Sequence, residues 1–228
     1  MDLNKLWVFG DSFSADCSAE ITYNTWPELL ARKLELTQYI NHALWGASND
    51  YIFDALLKHA PEFKSGDYVI IQLTEQTRQW FFKDQPACGN FYMKNIEKFI
   101  TVQELTAVSQ YITHLQRDEI DELRYLQLTL ALEHVAKSLS HLRILILPGY
   151  HFVPGVTGTL YDISKSEFTE PTDEPLLLAN HDGRDPRPNH LSQVHHQILA
   201  DKLFNSWSTG NPIDLTTDFN KGFIEVYA

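Results

Sequence analysis

Short uninterrupted apolar runs alternate along the chain with segments whose apolar positions recur every three or four residues. Leu6-Trp7-Val8-Phe9 ends at Gly10, Tyr68-Val69-Ile70-Ile71-Gln72-Leu73 follows the break at Gly66-Asp67, and Arg143-Ile144-Leu145-Ile146-Leu147 is stopped by Pro148-Gly149. Runs of this length read as strands buried on both faces. Gln38-Tyr39-Ile40-Asn41 is a shorter candidate, a fifth strand is expected around Leu160-Tyr161-Asp162-Ile163, and Phe223-Ile224-Glu225-Val226-Tyr227 reads as a last edge strand. Thr25-Trp26-Pro27-Glu28 reads as a capping box opening a helix with Trp26, Leu29, Leu30 and Leu34 on one face. Ser48 or Asn49 caps a helix that turns Ile52, Ala55 and Leu56 inward. Leu128, Leu132, Val135, Leu139 and Leu142 form the stripe of a long helix. Asp118, Glu119, Asp121 and Glu122 cluster near its start, where negative charge complements the helix dipole. Leu191, Val194, Ile198, Leu199 and Leu203 mark a C-terminal helix.

Strands alternating with amphipathic helices predict an α/β fold with a parallel sheet of about five strands, covered on both faces. No composition shift or repeat divides the chain, so residues 1–228 read as one domain with a loop insertion at 150–189, rich in Pro and Gly. At 228 residues a single core is large enough to need no staples. The 18 basic and 30 acidic side chains leave a net charge of −12, which repels phosphates and makes nucleic acid and anionic membranes poor partners. Cys17 and Cys88 are too few for a disulfide framework, and no Cys/His spacing suggests a metal. The opening Met1-Asp2-Leu3-Asn4-Lys5 is unlike a secretory signal, so the cytoplasm is the expected compartment. No apolar run approaches the length of a membrane span.

In sheets of this kind ligands bind beyond the carboxyl ends of the strands. After the first strand, Gly10-Asp11-Ser12-Phe13-Ser14 puts a serine on a strand-to-helix turn. After the second, Asn41 through Asp50 contains Gly46, whose backbone can approach a ligand closely, and Ser48 and Asn49 as capping residues. After the third come Thr74, Glu75, Gln76, Thr77 and Arg78. Near the end, Asp182-Gly183-Arg184-Asp185-Pro186-Arg187-Pro188-Asn189-His190 sets a histidine just before a helix, a base candidate near pH 7. The other nine histidines, among them His134, His141, His195 and His196, receive no role. Trp80-Phe81-Phe82 opens an aromatic loop that reads either as a substrate wall or as a satellite packing cluster.

Taken together and in order, these four segments resemble the SGNH hydrolases of the GDSL esterase/lipase superfamily. The resemblance covers most of the chain and implies a flavodoxin-like, three-layer α/β/α sandwich. It further implies ester hydrolysis through Ser12 as nucleophile and His190 as general base. An aspartate would orient His190, and the backbone N–H groups of Ser12 and Gly46 would bind the oxyanion. The implied substrates are short-chain acyl esters or O-acetylated carbohydrate, with no metal or other cofactor. Two positions depart from the family pattern. Its third block carries an asparagine donor that is missing here, and Thr74, or in another register Gln76, takes that place. The triad acid normally stands three residues before the histidine, where this chain has Arg187, so Asp185 is preferred over Asp182. Competing readings are a binding module that has lost hydrolysis and an O-acyltransferase.

Overall fold

The computed structural model describes residues 4–16, 23–80, 101–165 and 191–219. Its sheet has four parallel strands, β1 (Lys5–Phe9), β2 (Gln38–Asn41), β3 (Tyr68–Leu73) and β4 (Arg143–Pro148), in the order β2-β1-β3-β4. Three of the four read as unbroken apolar runs, but only the central β1 and β3 are buried almost throughout; β4, at the edge, is exposed or half-buried from Arg143 to Ile146. Val8 lies beside Asn41 on one side and Ile70 on the other, and helices on both faces of the sheet call for apolar side chains on both sides of the central strands. Side chains alternate across the sheet. Leu6, Val8, Tyr68 and Ile70 enter one cluster with α1 (Trp26–Lys33), α5 (Leu160–Lys165) and α6 (Gln193–Thr209). Trp7, Phe9, Val69, Ile71 and Leu73 enter a second with α2 (Asn49–His59) and α4 (Asp118–Ser138). A further helix, α3 (Val102–His114), opens with a formed capping box of Thr101 and Glu104, and only Val108 of it is buried.

The amino ends of the strands are tied by Asp67, which is fully buried. It accepts from the Lys5 and Lys64 N–H groups and from the Trp7 indole, at 2.9, 3.0 and 2.9 Å. Beside it, Gly66 takes a φ of 89°, a conformation costly for any residue with a Cβ.

Several expectations need correction. Leu160–Ile163 is the first turn of a helix, because Leu160 and Ile163 lie three apart and both reach the core, whereas strand alternation would have separated them. The chain does form strands nearby, a two-residue parallel pair of β5 (Val156–Thr157) and β6 (Ile213–Asp214). Thr25 is the N-cap of α1, but its side chain makes no capping bond. Instead the Trp26 N–H donates to Nδ1 of buried His196 at 3.0 Å, and Glu28 pairs with Arg32. On α6, Val194 faces outward at 56% exposure, while His195 and His196 point inward with Leu199 and Leu203. Asp121 is buried and tied to Gln79 and Gln116, each at 2.8 Å, so it anchors the loop after β3 as well as facing the helix dipole. The edge strand expected at Phe223–Tyr227 lies outside the described residues, as does most of the segment at 150–189. No helix among the described residues is long and apolar enough to cross a membrane.

Candidate functional site

Three strand ends meet around the turn that carries Ser12. The Ser14 and Ala15 N–H groups donate to the Asp11 carbonyl at 3.0 and 2.9 Å, and the Phe13 N–H donates to Asp11 Oδ1 at 2.9 Å. The turn therefore closes on both sides of Ser12, with Asp11 as its hub. Ser12 is half-buried, and neither its hydroxyl nor its N–H makes a hydrogen bond among the described residues.

The segment after β2 is laid against the same turn. His42 and Leu44 donate their N–H groups to the carbonyls of Val8 and Gly10, at 2.7 and 3.0 Å. Asn41 Nδ2 donates to the Ser14 carbonyl at 2.8 Å. Gly46 follows with a φ of 72°, which favours glycine, and its N–H likewise finds no acceptor among the described residues. Ser48 caps α2 by accepting from the Tyr51 N–H at 3.3 Å. Asn49 does something sequence reading missed: its amide accepts the Thr74 N–H at 2.8 Å and donates to the Thr74 carbonyl at 3.2 Å. A side chain thus completes the backbone pairing that β3 loses where it ends.

Gln72 is the second residue whose role could not be foreseen. Its Oε1 accepts from the Asp11 N–H at 2.9 Å and the Ser14 hydroxyl at 3.0 Å, while Nε2 donates to the Leu73 carbonyl at 2.7 Å. The space it fills exists because two neighbours are glycine. A Cβ on Gly10 would stand 2.6 Å from Gln72 Oε1, and one on Gly149 would stand 2.0 Å from the Leu73 carbonyl oxygen.

Thr74 is fully buried, and its hydroxyl donates to Asp11 Oδ2 at 2.5 Å. This bond competes with the oxyanion role expected of Thr74, since a hydroxyl has one proton to give. The same carboxylate oxygen accepts from Arg78 Nη1 at 2.8 Å, and Arg78 Nη2 donates to the Tyr150 hydroxyl at 3.3 Å. Burial holds the Tyr150 phenol above its ordinary pKa, so it stays neutral. His151, next along, is pushed below the usual histidine value chiefly by burial, against the opposing carboxylates of Glu75 and Glu122. Gln76 is half-buried and makes no side-chain bond among the described residues.

Trp80 packs edge-on against Tyr51 with ring centres 5.5 Å apart, which ties the start of the aromatic loop to α2. Phe81, Asp182, Asp185 and His190 lie outside the described residues. Leu191, the next residue after His190, is buried in the same cluster as Phe13, the residue after Ser12. Tyr23 and Trp26 link the two stretches. The Tyr23 hydroxyl donates to the Leu191 carbonyl at 3.3 Å and the Trp26 indole donates to the Phe13 carbonyl at 2.8 Å. A groove of about 490 Å³ runs along the outer side of β4, lined by Glu133, Ala136, Ile144, Ile146, Val153 and Val156, and none of the strand-end residues line it. Among the described residues, no group of three His, Cys, Asp or Glu side chains is arranged to hold a metal ion.

No family model and no curated protein matches the chain. Among solved structures, it is similar to a G-D-S-L family protein from Desulfitobacterium hafniense, with 15% identity, 89% of this chain and 98% of that chain covered, and a TM-score of 0.38. That is the family the strand-end blocks resemble.

Proposed function

We propose that this protein is a serine hydrolase acting on esters, with Ser12, His190 and Asp185 as its triad. The observation that carries the reading is the set of groups left available at the strand ends: the Ser12 hydroxyl and the N–H groups of Ser12 and Gly46. A nucleophile and two backbone donors are what acyl transfer to serine requires. Ser12 Oγ attacks the acyl carbon while His190 takes its proton. The carbonyl electrons move onto an oxyanion held by the two N–H groups, then return to expel the alcohol, which leaves with the proton from His190. Water repeats the sequence on the acyl-enzyme. Asp185 orients the imidazole and balances its charge. The links through Tyr23 and Trp26 support this assignment, since they bring the neighbours of Ser12 and His190 into one cluster.

Thr74 supplies a third oxyanion donor only by turning its hydroxyl from Asp11. That competition favours a slow enzyme, or the alternative of a binding module that does not hydrolyse. The accompanying fold reading is the three-layer sandwich of about five strands, with short acyl or O-acetylated carbohydrate esters as substrates, and Trp80 and Phe81 as a wall. Labelling by a fluorophosphonate tests the proposal. Wild type should react, while Ser12→Ala and His190→Ala should not; equal labelling of all three overturns it. Thr74→Val should lower kcat with little change in KM if the hydroxyl reaches the oxyanion.

A further inference from the structure

We propose that Arg78 is a positioning residue that holds the Ser12 turn in attacking geometry through the carboxylate of Asp11; the inference rests on the serine-hydrolase reading above. Asp11 is fully buried, so its carboxylate must be paired and hydrogen-bonded to remain there. Oδ1 receives the Phe13 N–H at 2.9 Å, closing the turn over Ser12. Oδ2 receives Thr74 Oγ1 at 2.5 Å and Arg78 Nη1 at 2.8 Å. Arg78 is the only cation in contact with this carboxylate among the described residues, and its own side chain is only 10% exposed.

The guanidinium does more than balance charge. With Nη2 it reaches the Tyr150 hydroxyl, and its Cζ lies 5.6 Å from the Tyr150 ring centre. One planar side chain from the loop after β3 therefore bridges the ends of β1 and β4, with the serine turn hanging from the β1 side. The fork is what permits two partners in fixed directions; an ammonium on a flexible stem supplies the charge without the bridge. Glu75 Oε2 stands 3.8 Å from Nε and is the other carboxylate facing the group. If Arg78 is withdrawn, Asp11 keeps only Thr74 and the Phe13 N–H. The carboxylate must then shift toward water, taking the far side of the serine turn with it. A displacement of about 1 Å at the nucleophile is enough to cost roughly a hundredfold in rate.

The test compares Arg78→Lys, Arg78→Met, Asp11→Asn and the double variant Arg78→Met/Asp11→Asn with wild type, by p-nitrophenyl acetate hydrolysis and urea unfolding. Lysine should restore most of the stability lost in Arg78→Met, yet leave kcat down by roughly tenfold or more with KM within about twofold. Adding Asp11→Asn to Arg78→Met should change kcat by less than about twofold, because the pair acts as one unit. A wild-type kcat in Arg78→Lys, or kcat losses that multiply in the double variant, overturns the proposal. Should wild type itself show neither turnover nor labelling of Ser12, it is the hydrolase reading that fails. The positioning role falls with it, and coupled unfolding losses for Asp11 and Arg78 would then mark a structural ion pair alone.

Discussion

Asp67 and Asp11 are both wholly buried, at opposite ends of one parallel sheet, and their partners differ in kind. Asp67 is satisfied by two backbone N–H groups and an indole, all neutral and all fixed by the strands and the turn they belong to. Asp11 is satisfied by one backbone N–H, a hydroxyl and a guanidinium. Backbone donors leave only if the strands come apart, whereas a hydroxyl or an arginine can exchange partners while the sheet stays whole. The same side chain at the same depth is thus a rivet at one end and an adjustable support at the other.

The largest expected effect falls at the rivet. Asp67→Ala leaves the buried Trp7 indole and the part-buried Lys5 and Lys64 N–H groups without an acceptor, at about 1–3 kcal/mol for the buried donor and less for the other two, and urea unfolding should show a loss of about 3 kcal/mol with kcat per folded molecule unchanged. A loss below about 1 kcal/mol would erase the distinction between the two carboxylates. At the other end, Gln72→Met strips the Asp11 N–H and the Ser14 hydroxyl of their acceptor. It is expected to cost about 2 kcal/mol and to lower kcat as well; an unaltered kcat would mean that the turn does not depend on its floor. His196→Ala removes the acceptor of the Trp26 N–H and should cost about 1–2 kcal/mol in the same assay.

The smallest effect is one of pH. The ring of His42, at the base of the segment carrying Gly46, stacks on His59 at 3.8 Å, and its Nε2 is buried without a hydrogen bond. Burial first, and His59 second, push its pKa below the ordinary value, against the pull of Glu62. The folded chain therefore binds this proton less readily than the unfolded one. The contribution to stability is whole above the unfolded value of about 6.5 and is lost as pH falls through it toward the folded value. Wild type should lose more stability than His42→Phe between about pH 7.5 and 5.5. Parallel losses would remove His42 from the account.

The central strands were legible because helices packed on both faces of the sheet force continuous apolar runs, and Ser48 and the inward face of α2 followed from local rules. What could not be read depended on partners distant in the chain. Asp11 was visible as part of a short motif, but the reason for its carboxylate lies 63 and 67 positions away, in Thr74 and Arg78. Gln72 read as part of a strand run; its fit needs Gly10 and Gly149, which no periodicity connects. The Thr25 capping box had the right residues, but the Thr25 hydroxyl makes no capping bond and the Glu28 carboxylate pairs with Arg32 one turn on. The short turn of α5 was misread because four residues are too few to separate a period of two from one of 3.6. His190 and Asp185 still rest on the family resemblance.

The bond from Trp26 to His196 joins positions 170 residues apart, and it has a consequence for synthesis. During translation the first helix emerges long before the residue that completes its opening turn has been made. Its apolar face, Trp26 and Leu30, is meant for a cluster that also needs Leu199 and Leu203. Native closure of this domain must therefore await residues some 170 positions further on, and until they emerge the nascent chain carries an unsheltered sticky surface.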